Sequence, residues 1–171
     1  PLYISEKLGT GCLESAGIGL CFELGGPLGT LFGGYASDVW CKGKRMPVSV
    51  VSLFALAVLL SFFNHLAALE SAWVFALLLF VIGFLLYIPD SLLSGTAAID
   101  FGTKKGASTA AGVINGFGSI GAILGGSLPG KIADTWGWNP LFVSLAVAVG
   151  LAGLILLPKW NSLPATTAGV A

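Results

Sequence analysis

"PVSVVSLFALAVLLSFFNHLA", residues 47–67, contains no aspartate, glutamate, lysine or arginine, and its one titratable group, His65, lies near its end. A helix rising 1.5 Å per residue needs about 20 such residues to cross the ~30 Å hydrocarbon core of a bilayer. The run therefore predicts a transmembrane helix. Working outward, four more apolar segments follow the same rule, at 12–36, 72–98, 106–130 and 139–158. Polar breaks separate the five: "GGYASDVWCKGKR" at 33–45, "AALES" around Glu70, "DFGTKKG" at 100–106 and "KIADTWGWNP" at 131–140.

Composition agrees. Of the 171 residues 56% are hydrophobic and only 9% are charged, against about 25% in soluble domains. So few polar groups could not cover a water-facing surface. Period-2 alternation, the mark of a membrane β-barrel, is absent. The fold class is all-α integral membrane, with five transmembrane helices. The formal net charge is zero, so no global field recruits nucleic acid. Cys12, Cys21 and Cys41 are far apart and form no CxxC pair, which reads as free thiols. With His65 as the single histidine there is no metal cluster and no nucleophile–base arrangement, so no enzyme is expected and no cofactor. His65 reads as a solvated residue at a helix end. "PLYISEKLG" at 1–9 has neither a basic n-region nor an apolar core, so it is not a signal peptide. It reads as a loop of something longer.

Orientation follows from the bases. Alternation of five helices places Lys42, Lys44, Arg45, Lys104, Lys105 and Lys159 on one face, and Lys7 and Lys131 on the other. The first face is expected to be cytoplasmic, with loops 37–46 and 99–105 and the C-terminus, in a plasma (inner) membrane. Lys104 and Lys105 precede a helix, where the macrodipole disfavours cations, so they serve topology before stability. Trp40, Trp73, Trp136, Trp138 and Trp160 all fall at expected helix ends, as in an interfacial aromatic belt.

Two helices carry stripes of glycine: Gly25, Gly29 and Gly33 in the first, and Gly112, Gly116, Gly121 and Gly125 in the fourth. Such stripes let backbones approach closely, either for static packing or for helices that rock during transport. Pro27 and Pro89 each remove a backbone hydrogen bond and are expected to kink their helices. "GFGSIG" at 116–121 matches a dinucleotide-binding pattern but lies inside an expected membrane helix with no strand before it, which rules that reading out.

Charges at membrane depth are costly, at least about 2.5 kcal/mol each on insertion scales. Glu23 lies near the middle of the first helix and Asp90 inside the third. Each is expected to face a water-filled cavity or a basic partner, or to stay protonated. A purely structural pairing is the alternative. Tyr87, Asn115 and Ser119 fall at similar depth, where they either join helices or contact a polar solute.

Gly34, Asp38, Gly43, Lys44 and Arg45 resemble the loop signature of the major facilitator superfamily: glycine, aspartate four residues on, then a tight turn with bases. Val39 replaces the usual base after the aspartate, and the turn is longer. The longer stretch "FELGGPLGTLFGGYASDVWCKGKR" at 22–45 resembles the eighth helix and following loop of the organophosphate:phosphate antiporters. "GFLLYIPDSLLSGTAAIDFGTKKGASTAAG" at 83–112 resembles their tenth helix, loop and eleventh helix, and "PGKIADTWGW" the next outer loop. The resemblance implies that the five helices are the eighth to twelfth of a twelve-helix fold. The signature residues would lock the loop against a neighbouring helix end. Tyr87 matches a tyrosine that lines the central cavity. Ser119 stands where the glycerol 3-phosphate carriers usually have tyrosine, and Asp90 where an uncharged residue is common. The phosphate-binding arginines of that family would lie on helices outside this chain.

The resemblance thus implies a secondary transporter exchanging glycerol 3-phosphate or a sugar phosphate for inorganic phosphate by alternating access. Glu23 and Asp90 would serve charge balance or coupling, and Tyr87, Asn115 and Ser119 would contact the organic moiety. Its partners would be the lipid bilayer, the remaining N-terminal helices of the same protein and a small phosphorylated solute. Two alternatives stand beside it, a transporter-like membrane sensor of sugar phosphates and a stand-alone structural five-helix protein.

Overall fold

In lipid only a helix satisfies its backbone groups within its own segment, so apolar runs bracketed by glycine, proline and charge become helices. The computed structural model of the protein describes residues 2–97 and 106–162. Among these every regular element is helical. α1 spans Leu2–Leu8, α2 Cys12–Val39, α3 Arg45–Ala67, α4 Ala72–Asp90, α5 Ala107–Trp136 and α6 Trp138–Leu156. A π-helical segment, Ser91–Ala97, continues α4, and a 3₁₀ turn, Leu157–Lys159, closes α6.

Among the described residues four helices are long and apolar enough to cross a membrane: α3, α4 with its extension, α5, and α6 with its 3₁₀ turn. α2 is diluted by glycine and Glu23, but its 28 residues reach about 42 Å at the helical rise. The all-α membrane architecture and its five long helices therefore stand as expected.

Three boundaries differ from the sequence reading. Residues 2–8, read as loop, form α1. α5 runs on through Lys131–Trp136, and the break comes only at Gly137, whose φ of +89° glycine tolerates. Hydropathy marks where lipid ends, whereas a helix ends where its hydrogen bonding does. The third segment changes helix type at Ser91, a change that apolarity does not encode. Lys104 and Lys105, with loop 99–105, and the chain from 163 onward lie outside the described residues.

α4 packs between α2 and α3, α6 lies against the other side of α3, and α5 touches α6 and the π-helical segment. The α2 glycines set the first contact. A Cβ on Gly25 would strike the carbonyl oxygen of Phe80, one on Gly29 that of Phe84, and one on Gly33 would press the Ile88 side chain at 3.0 Å. Gly83 of α4 answers with the same closeness to the Phe22 carbonyl. This is backbone-on-backbone packing, which lipid-embedded helices use in place of a hydrophobic drive. The α5 stripe is different. Gly112, Gly116, Gly121 and Gly125 have no atom of the described chain within 4 Å of a built Cβ, and α5 lies almost wholly exposed.

Pro89 shows how one residue's chemistry reaches a neighbouring helix. It has no N–H for the carbonyl four residues earlier, that of Leu85. The buried Ser52 of α3 donates its hydroxyl to that carbonyl at 2.5 Å. A side chain thus supplies the bond that the proline removes, as backbone satisfaction in lipid demands. Ser91 and Ser94 also donate to carbonyls of the preceding turn, at Ile88 and Asp90.

The larger cluster of buried apolar residues lies where α1 sits, with Tyr3 and Ile4 against Phe63, Ala67, Phe75 and Leu78. Tyr3 packs edge-on to Phe75, Trp138 and Phe142, and Phe63 stacks on Phe142 at 4.2 Å. Polar ties close the same end: the Tyr3 hydroxyl donates to Asn64, Asn64 to Asn139, and the Trp138 indole to Glu6. Burial raises the Tyr3 phenol pKa, so Tyr3 stays a neutral donor.

Candidate functional site

The sequence nominates five polar residues at membrane depth, and the structure sorts them into three places. Glu23 of α2 and Tyr87 of α4 are 64 residues apart in the chain and meet at the glycine crossing. The Tyr87 hydroxyl donates to a Glu23 carboxylate oxygen at 3.4 Å, a long contact by hydrogen-bond standards. The crossing explains why they meet. The glycines of α2 bring the backbones together, and the Tyr87 ring lies on Gly26, where a Cβ would stand 3.1 Å from ring carbons. Phe22 closes the other side edge-on, with ring centroids 6.0 Å apart.

Glu23 itself is exposed and opens on a cleft of about 570 Å³ that reaches Tyr3, Phe63 and Phe142. Pro27 has no N–H to give the Glu23 carbonyl. One residue therefore presents both a carboxylate and a backbone acceptor freed from the helix ladder. Apart from the Tyr87 hydroxyl these are acceptors, which suits a proton, a cation or the hydroxyls and basic groups of another segment.

Asp90 lies elsewhere. It is exposed and opens with Ser94 on a separate cleft of about 460 Å³, bordered by Leu53, Ile114 and Ile155. Asn115 and Ser119 are one turn apart on the exposed α5. Ser119 spends its hydroxyl on the Asn115 carbonyl at 3.0 Å, a back-bond within the helix. Within this chain α5 does not bring them to Glu23 or Tyr87. "GFGSIG" at 116–121 lies inside α5.

The loop signature is assembled. Lys42 and Gly43 both have positive φ, +54° and +80°, which reverses the chain in a tight turn. The Gly43 N–H reaches back to the Ser37 carbonyl at 2.9 Å. The turn brings Arg45 onto Asp38 in an ion pair, and Arg45 also donates to the fully buried Ser37. Asp38 lies in the last turn of α2 and Arg45 begins α3, so each stands at the helix terminus its own macrodipole disfavours. Pairing them offsets both penalties. Lys44 extends the contact to the end of α6 region, donating to Asn161 at 3.1 Å. Gly34 has open space around it.

Sequence reasoning overlooked Phe22, Gly26 and Ser52. The Gly25–Gly26 pair beside Glu23 is a signal that could have found the tyrosine seat. The Ser52–Leu85 bond has no signal before the helix pairing is known.

A family model described as the Major Facilitator Superfamily matches residues 1–169. A probable hexose phosphate transport protein of Chlamydia pneumoniae is 40% identical over 143 residues, covering 82% of this chain and 31% of that protein. The membrane sensor protein UhpC of Escherichia coli strain K12 is 36% identical over 162 residues, covering 94% of this chain and 36% of the sensor. A glycerol-3-phosphate transporter of Bacillus subtilis strain 168 is 33% identical over 165 residues, with 95% and 36% covered. The chain thus spans about a third of the length of these relatives. No solved structure matches it.

Proposed function

Because the chain belongs to the major facilitator superfamily and is a multi-pass membrane protein, not an enzyme, we propose that it forms the C-terminal part of a carrier for organic phosphates. The carrier exchanges glycerol 3-phosphate or a sugar phosphate for inorganic phosphate by alternating access. α2 to α6 serve as the eighth to twelfth of twelve helices. The observation that carries the reading is the Glu23–Tyr87 pair at the glycine crossing, in a chain whose relatives are named for hexose phosphate or glycerol 3-phosphate transport.

The mechanism follows from chemistry. A phosphate ester is dianionic over most of the physiological range and needs planar, fixed cations to replace its water. The single arginine of this chain, Arg45, is committed to the loop, so the anchoring arginines belong to helices supplied by the rest of the protein. Glu23 then balances an arginine when the site is empty, or takes up a proton with substrate. Tyr87 holds that carboxylate and turns its ring toward the organic moiety. Asp90, Asn115 and Ser119 line the same route once the remaining helices close it. Rocking of the two halves exposes the midplane site alternately. The signature turn lies on the cytoplasmic side of a plasma (inner) membrane, where the Asp38–Arg45 pair holds α2 to α3.

A sensor is the second reading, favoured by the 36% identity to a membrane sensor protein. One experiment separates them. The full-length protein is reconstituted in vesicles loaded with labelled phosphate, and glycerol 3-phosphate or glucose 6-phosphate is added outside. A carrier releases label only when one of these is present. Binding of the ester with no release over an hour would instead establish the sensor.

A further inference from the structure

We propose that the end of the bundle carrying the α2–α3 turn binds an anionic phospholipid, one acyl chain lying between α2 and α3 and the headgroup held by Lys42, Lys44 and Lys159. α2 and α3 touch only sparsely, because α4 holds them apart. The space left is a groove of about 350 Å³. Its floor is Phe84, Leu85 and Ile88 of α4, and its walls are Phe32 of α2 with Val51 and Ala55 of α3. Trp40, Cys41 and Trp160 stand at its mouth.

Polar solutes gain nothing there. The serine hydroxyl in the lining, Ser52, is already spent on the Leu85 carbonyl. Phe32, Trp40, Val51 and Trp160 are left between 39% and 64% exposed, an apolar surface that wants hydrocarbon. Two tryptophans at the rim set the depth at which headgroups lie.

Charge selects the lipid. Lys42 is exposed and adjoins Cys41; Lys159 is exposed and adjoins Trp160. Lys44 is tied to Asn161, next to Trp160, with two ammonium hydrogens to spare. At the same turn Arg45 neutralises Asp38. Asp90 opens on the other cleft. Three lysines thus stand beside the residues at the groove's mouth, complementary to a headgroup of negative charge above a buried chain. This inference rests on membrane residence and is independent of what the protein carries.

The test is native mass spectrometry of the delipidated full-length protein titrated with phosphatidylglycerol or phosphatidylcholine. Phosphatidylglycerol is expected to bind at least tenfold tighter. Lys42→Gln and Lys159→Gln should each weaken it about fivefold, leaving phosphatidylcholine unaffected. Ala55→Trp, placed on an exposed position of α3, should fill the groove and remove phosphatidylglycerol binding. Equal binding of the two lipids would overturn the proposal, as would binding that survives Ala55→Trp. If that variant does not fold, the lysine variants decide alone, and an unchanged lipid preference sinks the idea. Absence of bound lipid, with Cys41 shielded from a lipid-soluble maleimide, would mean that another segment of the protein covers the groove, and the proposal would fail.

Discussion

Glu23 is a carboxylic residue at membrane depth, and the Tyr87 hydroxyl donates to it. One neutral donor at 3.4 Å does not offset the cost of placing a carboxylate in lipid, at least about 2.5 kcal/mol. The proposed role therefore needs a wet cavity, a cation on another helix or a protonated carboxyl. Glu23→Gln keeps the shape and removes the charge. In the full-length protein it should alter the rate or the pH dependence of phosphate exchange. Kinetics unchanged from pH 5 to 8 would remove Glu23 from the mechanism. Tyr87→Phe keeps the ring on Gly26 and loses only the donor. Its stability cost should stay below about 1.7 kcal/mol, the upper range for hydrogen bonds between membrane helices, while transport falls further than so small a cost explains.

At the scale of elements, the two glycine stripes part company. On α2 the successive turns at Gly25 and Gly29 meet the α4 backbone, so a side chain at Gly29 has nowhere to go. Gly29→Ala should cost about 1–3 kcal/mol, the usual range for overpacking, and lower the thermal midpoint of the purified protein. Gly17 is in the same helix with no atom within 4 Å, so Gly17→Ala should be neutral or gain up to about 1 kcal/mol from helix propensity. Equal effects of the two substitutions would show that propensity, not the crossing, governs α2. The five long helices were legible in sequence because lipid demands about 20 apolar residues and little else. Their pairing was not. Gly25, Gly29 and Gly33 declared a close contact without naming Phe80 and Phe84 as its other side, and nothing adjacent to Pro89 announced Ser52. α1 was overlooked because Glu6 and Lys7 interrupt a helix too short to show an apolar period.

At the scale of the molecule, the described bases divide by end. Lys44 reaches Asn161, which puts the α2–α3 turn and the close of α6 together. Glu6 reaches Trp138, which puts α1 with the start of α6 at the opposite end. Lys42, Lys44, Arg45 and Lys159 therefore share one end, and Lys7 lies at the other with Lys131, which stands near the close of α5 just before α6 begins; Lys104 and Lys105 of the expected six lie outside the described residues. The five proposed site residues were legible one by one, as polar groups at depth. Their separation into a crossing, a second cleft and the bare face of α5 depends on three-dimensional pairing. The bare face of α5 and the exposed carboxylate of Glu23 are what the proposed carrier would cover with further helices. Which end is cytoplasmic rests on the excess of bases, and it can be tested directly. Single cysteines at Lys42 and at Lys7, in the otherwise cysteine-free full-length protein, should respond oppositely to a membrane-impermeant maleimide applied to intact cells. Lys7→Cys should label at once, and Lys42→Cys only after the cells are opened. The reverse order would invert the topology, and it would move the Asp38–Arg45 pair and the groove with its three lysines to the outer leaflet.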